Sequence, residues 1–255
     1  MTKTIALAGK GGTGKTTVAA LMIRSLLNRT TGAILAIDAD PATNLHLALG
    51  LPAPTTIGEV REEMMEVSRA MQLGVVISRH DYLTHEVRMA LEEGNRVDLL
   101  AMGRPEGQGC YCAVNHLLRT VVDDLGGKYD YLVVDNEAGM EHISRRTTRD
   151  VDLLLIVTDP TIRGVEAARA IAELASDIEV NVHQKALVVN RLVGRPPELL
   201  QAAMDKLGLE VGAMIPADEG VNELDALGQP LVALDEDSPA FQAVDAMTAQ
   251  FLSMG

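Results

Sequence analysis

The sequence predicts an α/β protein: a three-layer, doubly wound, mostly parallel sheet with helices on both faces. Two observations predict it. Short, near-continuous aliphatic runs alternate with stretches of helical period along all 255 residues, and strands covered on both faces read as unbroken apolar runs. The core has to be aliphatic, because aromatics are 2% of the chain and Trp is absent. A chain this long buries roughly 70–75% of its unfolded surface, so one domain spanning 1–255 needs no disulfide staple.

The elements follow in order. Thr4–Ala8 reads as a strand and Lys15–Asn28 as a helix; Ala33–Ile37 is a strand and Arg79–Glu93 a helix. Val97–Met102 is a strand, followed by a glycine-rich loop, Gly103–Gly109, and a helix over Ala113–Leu125. Tyr131–Val134 and Leu153–Thr158 are strands, and Gly164–Ser176 is a helix. Ala186–Val189 is a strand, Pro197–Leu207 a helix, Val211–Ile215 the last strand and Ala240–Leu252 a closing helix. There is no repeat, low-complexity segment or linker.

Composition narrows the function classes. A net charge of −14 repels a phosphate backbone, so nucleic acid is not an expected partner. Arg145, Arg146 and Arg149 form the one tight basic cluster. The start, Met1 to Gly9, runs too quickly into glycines to be a signal peptide. No apolar run approaches the ~20 residues that a membrane span needs. The expected setting is the cytoplasm. There, the only two cysteines, Cys110 and Cys112, are better suited to a metal or redox site than to a structural bridge.

Gly9-Lys10-Gly11-Gly12-Thr13-Gly14-Lys15-Thr16 matches G-x-x-x-x-G-K-[ST] between an expected strand and an expected helix, the context this phosphate loop requires. Gly11, Gly12, Thr13 and Gly14 let backbone N–H groups converge on phosphate oxygens, and the helix starting at Lys15 directs its positive dipole end at the same anion. Lys15 should reach the β and γ phosphates, Thr16 should ligate Mg²⁺, and Thr17 continues the nucleotide-binding turn.

The lysine ahead of the double glycine makes the loop resemble the deviant Walker motif of the MinD, ParA and nitrogenase iron protein class. That resemblance implies a homodimeric ATPase. In it, Lys10 crosses to the partner's nucleotide and supplies positive charge where negative charge develops. It also gives roles to other segments. Asp38-Ala39-Asp40-Pro41 resembles switch I, with Asp40 positioning the attacking water and Asp38 supporting the metal or the loop. Asp135, with Gly139 four residues on, resembles a Walker B aspartate leading into switch II and would help hold Mg²⁺. Asn190-Arg191 and Pro216-Ala217-Asp218 fall where the family contacts adenine, and an Asn side chain can both donate to and accept from a purine edge.

Gly109-Cys110-Tyr111-Cys112 distinguishes subfamilies. Two thiolates do not complete a tetrahedral site, whereas two copies meeting on a dimer axis supply four sulfurs. Such a site suits Zn²⁺, Ni²⁺ or an iron–sulfur cluster. With Asp135-Asn136-Glu137-Ala138-Gly139-Met140-Glu141-His142, this loop resembles the carbon monoxide dehydrogenase accessory ATPases and the similar acetyl-CoA synthase maturation ATPases. The resemblance implies an ATP-dependent metallochaperone that holds Ni²⁺ or Zn²⁺ at the dimer interface and serves a nickel-containing client enzyme. Two alternatives stand beside it. A positioning ATPase like MinD or ParA would need a basic lipid-binding or DNA-binding surface, and Ser238–Gly255 has no Lys or Arg. An electron-transfer ATPase like the nitrogenase iron protein uses two well-separated cysteines, whereas here they are one residue apart. His116 reads as a helix-surface histidine, and Met64, Met65 and Met71 as core.

Overall fold

The computed structural model describes residues 2–60, 62–63, 85–103, 126–137, 150–177 and 181–253. The expected loop Gly103–Gly109, except for its first residue, and the helix over Ala113–Leu125 lie outside the described residues. So do Cys110, Cys112, His116, Gly139, His142, the arginine cluster and the methionine group.

Among the described residues eight strands form one sheet: β1 (Lys3–Gly9), β2 (Ile34–Ala39), β3 (Glu92–Glu93), β4 (Val97–Ala101), β5 (Tyr131–Asn136), β6 (Asp150–Thr158), β7 (Asn181–Leu192) and β8 (Glu210–Pro216). Their order is β3-β4-β2-β5-β1-β6-β7-β8. Every pairing is parallel except β3 with β4. The inner strands are aliphatic along their buried stretches because both faces are covered there. On one face α1 (Lys15–Arg29), α2 (Leu45–Leu49) and α6 (Pro239–Ser253) bury Leu21, Leu26, Leu45, Phe241 and Val244 against Ile5, Leu7 and Leu155. On the other, α3 (Ile162–Asp177) and α4 (Glu198–Leu207) bury Val165, Ala168, Leu200 and Met204 against Leu154, Ile156 and Leu187. α5 (Glu219–Ala226) has no buried residue and follows β8 at the sheet edge.

The strand order reverses at β1, which is flanked by β5 and β6. In open α/β sheets such a switch point opens the ligand crevice at the carboxyl ends of the strands. Parallel register sets the crevice residues level: Leu7 lies beside Asp135, and Asp38 beside Asp135.

One expected helix is corrected. Arg79–Glu93 was expected to be helical to its end, but the helix stops by residue 89 and Glu92–Glu93 pairs antiparallel with Asp98 and Leu99. The reversal is made by Gly94-Asn95-Arg96, with Arg96 in a left-handed conformation at φ 63°. Gly94 donates to Asp98 Oδ1, and an added Cβ at Gly94 would meet Val97 O at 2.6 Å. Three short α-helical stretches among the described residues, α2, α5 and residues 57–60, were not expected. Strands β5, β6 and β7 also run longer than the aliphatic runs that predict them, since their ends carry Asp, Asn and Arg.

Candidate functional site

The phosphate loop follows β1. Gly12 and Gly14 have φ of 81° and 85°, a left-handed conformation that side chains rarely tolerate. An added Cβ at Gly14 would lie 2.3 Å from Asn190 Nδ2. Thr13 Oγ1 donates to Lys10 O at 2.9 Å, which closes the loop on itself. The N-cap residue of α1 is Gly14, which has no side chain to cap the helix. Its first N–H groups and its dipole are therefore directed at the crevice, the arrangement of an anion site.

Lys15 is buried, and its Nζ donates to Lys10 O at 3.3 Å. Burial lowers its pKa, and the charges of Asp135, Asp40 and Glu137 oppose that shift. Lys10 itself is exposed. The loop thus separates its two lysines: one lies in the crevice among carboxylates, the other faces solvent.

Thr16 Oγ1 donates to Asp135 Oδ2 at 2.6 Å. The other oxygen, Asp135 Oδ1, is buried without a hydrogen-bond partner. Burial pushes the Asp135 carboxyl up to about 7, against the Thr16 hydrogen bond and with the help of the Asp38 charge. An orphaned carboxylate oxygen beside a threonine hydroxyl and a phosphate loop fits a hard divalent cation. Asp38 is arranged differently. Its Oδ2 accepts from Leu45 N at 2.8 Å and its Oδ1 from Asp40 N at 3.1 Å. Burial pushes its carboxyl up to about 6 despite these bonds. Asp38 therefore ties the 40–44 loop to the start of α2. Asp40 extends from that loop and accepts from Ala42 N at 2.8 Å.

Beside α1, Thr17, Leu21, Asn190, Arg191, Pro216 and Ala217 line an open pocket. Asn190 is buried and donates to Thr13 O at 2.9 Å, while its Oδ1 accepts from Arg191 N at 2.9 Å. Each half of the amide keeps one position free. Arg191 holds a left-handed φ of 59° and donates to Gly12 O at 3.1 Å. Asn190-Arg191 thus braces the phosphate loop from behind while facing the pocket. Asp218 also lines the pocket, but its carboxylate accepts from Gly220 N, Val221 N, Ser238 Oγ and Ala240 N.

The fold therefore brings together Lys10, Gly11, Gly12, Thr13, Gly14, Lys15, Thr16, Thr17, Asp38, Asp40, Asp135, Asn190, Arg191, Pro216 and Asp218 at one end of the sheet. Among the described residues no group of three or more His, Cys, Asp or Glu is arranged to hold a metal ion. Two participants escaped the sequence reading. Asn136, after Asp135, is buried and donates to Leu7 O at 2.7 Å, which fixes the end of β5 against β1. Ser238 completes the bonding of Asp218 from 20 residues away, a distance that leaves no local sequence signal.

Comparison with known proteins decides the family. Residues 4–231 match the family described as the CobQ/CobB/MinD/ParA nucleotide binding domain. The chain belongs to this family. It is a P-loop ATPase. It is 37% identical over 98% of both chains to an uncharacterised ATP-binding protein of Methanocaldococcus jannaschii. It is 32% identical to the carbon monoxide dehydrogenase accessory protein CooC of Rhodospirillum rubrum, over 69% of this chain and 70% of that one. Among solved structures, the cell division ATPase MinD of Pyrococcus furiosus superposes with a TM-score of 0.73 at 24% identity, over the full length of both chains. The last likeness shows the fold.

Proposed function

We propose that this ATPase is an ATP-driven metal-insertion factor, working as a homodimer on a nickel-containing carbon monoxide dehydrogenase or acetyl-CoA synthase. The observation that carries the reading is Cys110-Tyr111-Cys112, following β4 in a chain with no other cysteine and with a 32% identical carbon monoxide dehydrogenase accessory relative. The ion carried is cargo, Ni²⁺ or Zn²⁺, held by thiolates from two copies.

The nucleotide cycle follows from the site. The phosphate-loop N–H groups and the start of α1 hold the phosphate chain, and Lys15 exchanges Lys10 O for phosphate oxygens. Thr16 and Asp135 would hold Mg²⁺, which when bound neutralises charge on the β and γ phosphate oxygens. Asp40 orients the water that attacks the γ phosphorus, releasing ADP and phosphate. Asp38 anchors the loop that carries Asp40. Lys10, exposed, reaches the nucleotide of the second copy. The adenine occupies the Asn190–Pro216 pocket, where the free donor and acceptor of Asn190 match an adenine edge.

A positioning role like that of MinD or ParA is the second reading, supported by the fold likeness and by curated MinD relatives such as that of Synechocystis at 27% identity. A lipid-binding helix presents a basic face. Here α6 buries Phe241, Val244, Met247 and Phe251 in the core, and its polar Asp245 bonds to α1. To test the proposal, nickel-free client enzyme is incubated with Ni²⁺, ATP and either the parent chain or the Cys110→Ser, Cys112→Ser double variant. Nickel content and carbon monoxide oxidation should rise with the parent alone. Equal activation by both chains sinks the insertion role.

A further inference from the structure

The pocket beside α1 is walled by residues from three places: the β8–α5 loop at Pro216 and Ala217, α5 at Val221 and Asn222, and the start of α6 at Ala240. α5 has no buried residue of its own. Val221 and Leu224 pack against the core while only partly buried, and one side chain adds a polar clamp between this wall and α6. Asp218 Oδ1 accepts from Gly220 N at 2.9 Å and Val221 N at 3.4 Å, capping α5. Its Oδ2 accepts from Ser238 Oγ at 2.7 Å and Ala240 N at 3.1 Å, at the start of α6. Ser238 in turn accepts from Phe241 N at 3.1 Å, so the clamp continues into the core. A carboxylate has about four acceptor positions, and all four are filled.

We propose that Asp218 is a positioning residue for the nucleotide base: it joins the starts of α5 and α6 and so holds the wall against which the base packs. This rests on reading the pocket as the base site. Two consequences distinguish it from an ordinary helix cap. The carboxylate has no acceptor position left for a ligand, so it cannot read the N1–H and N2 amino donors of guanine. Its loss should also weaken binding of a base without affecting binding of phosphates, because the phosphate loop is braced separately by Asn190 and Arg191.

The test compares ATP with inorganic tripolyphosphate, which carries the phosphates and no base. Isothermal titration with Mg²⁺ present is run on the parent chain, on Asp218→Asn, which keeps one acceptor oxygen, and on the milder Ser238→Ala. Loss of one charged hydrogen-bond contact corresponds to about a tenfold change in affinity. ATP should therefore bind about tenfold more weakly to Asp218→Asn and less than that to Ser238→Ala, with tripolyphosphate affinity unchanged in both. GTP should bind the parent more weakly than ATP. Equal losses for ATP and tripolyphosphate, or no loss for either, would overturn the positioning role while leaving the pocket as the base site. Equal affinity of the parent for ATP and tripolyphosphate would overturn the base-site reading and this role with it.

Discussion

At the scale of the residue, the phosphate loop assigns different tasks to its two lysines. Lys15 is buried among Asp135, Asp40 and Glu137, and Lys10 is exposed. Lys15→Ala should abolish ATP binding, since it removes the charge proposed to meet the β and γ phosphates. Lys10→Ala should bind ATP nearly as well as the parent and hydrolyse it about 10³-fold or more slowly, the scale of a cation supplied in trans. Affinity and turnover of both variants measure this, and equal loss of binding removes the trans role. Asp40 calls for a different experiment. Asp40→Asn keeps the size and an acceptor oxygen for Ala42 N but loses the carboxylate proposed to orient water. It should accumulate an ATP-bound dimer in light scattering, with turnover down by about 10²-fold. Turnover at the parent rate means that another group orients the water. These residues were legible because their spacing is chemical: glycines at positive φ, a lysine, a threonine. Asp38 was only half legible. A carboxylate at a strand end reads equally as a metal ligand or a loop anchor, and only its bonds to Leu45 N and Asp40 N favour the anchor.

At the scale of the element, α1 is held at its far end by polar contacts rather than by propensity. Arg96 donates to Leu27 O and Thr30 O, satisfying carbonyls at the end of the helix. Asp245 of α6 accepts from Ser25 Oγ at 2.6 Å and from Arg29 Nε at 2.7 Å. Asp245→Ala leaves the buried Ser25 hydroxyl without that partner, so it should lower stability by about 1–2 kcal/mol in urea titration. The pH dependence has a definite sign. Hydrogen bonding to Arg29 holds the Asp245 carboxyl below its usual range. Burial would raise Asp218, but the bonds from Ser238, Ala240, Val221 and Gly220 together hold it below as well. A depressed folded-state pKa gives stability that is present above the unfolded value, about 3.9, and lost as pH falls through the folded value. The melting temperature should therefore drop below about pH 4, and less steeply in Asp245→Asn. An unchanged acid slope in that variant shows that the contact contributes nothing there. The sequence reading placed α6 and α1 but not this contact, because residues 25 and 245 share no local pattern. It extended one helix into β3 because Leu91-Glu92-Glu93 is helix-compatible until Gly94 and Asn95 turn the chain. It missed α5 because the helix is short and buries no residue fully, and its cap, Asp218, completes its bonds through Ser238.

At the scale of the whole molecule, ligand arithmetic makes the strongest demand. The chain carries two cysteines, one residue apart. Among the described residues no His, Cys, Asp or Glu cluster of three or more could hold an ion instead. A closed soft-metal site takes four ligands, so on the proposed function two chains would supply it and the expected stoichiometry is one ion per dimer. On the proposed function, Lys10 acting across the same interface would tie nucleotide state to the approach of the two loops. Linkage then works in both directions: metal promotes dimerisation by the factor by which dimerisation raises metal affinity. Thiolates must shed protons to ligate, so affinity should fall as pH drops below about 8.5. ATP should strengthen the site and ADP weaken it. Zn²⁺ or Ni²⁺ titrated into reduced protein, with mass followed by light scattering, should reach saturation at one ion for every two chains, together with a doubling of mass. The Cys110→Ser, Cys112→Ser variant should show neither. One ion per chain without a change in mass rules out the shared site, as does undiminished binding in the double variant. Either result leaves a MinD- and ParA-type ATPase whose cargo is not a metal held between its copies.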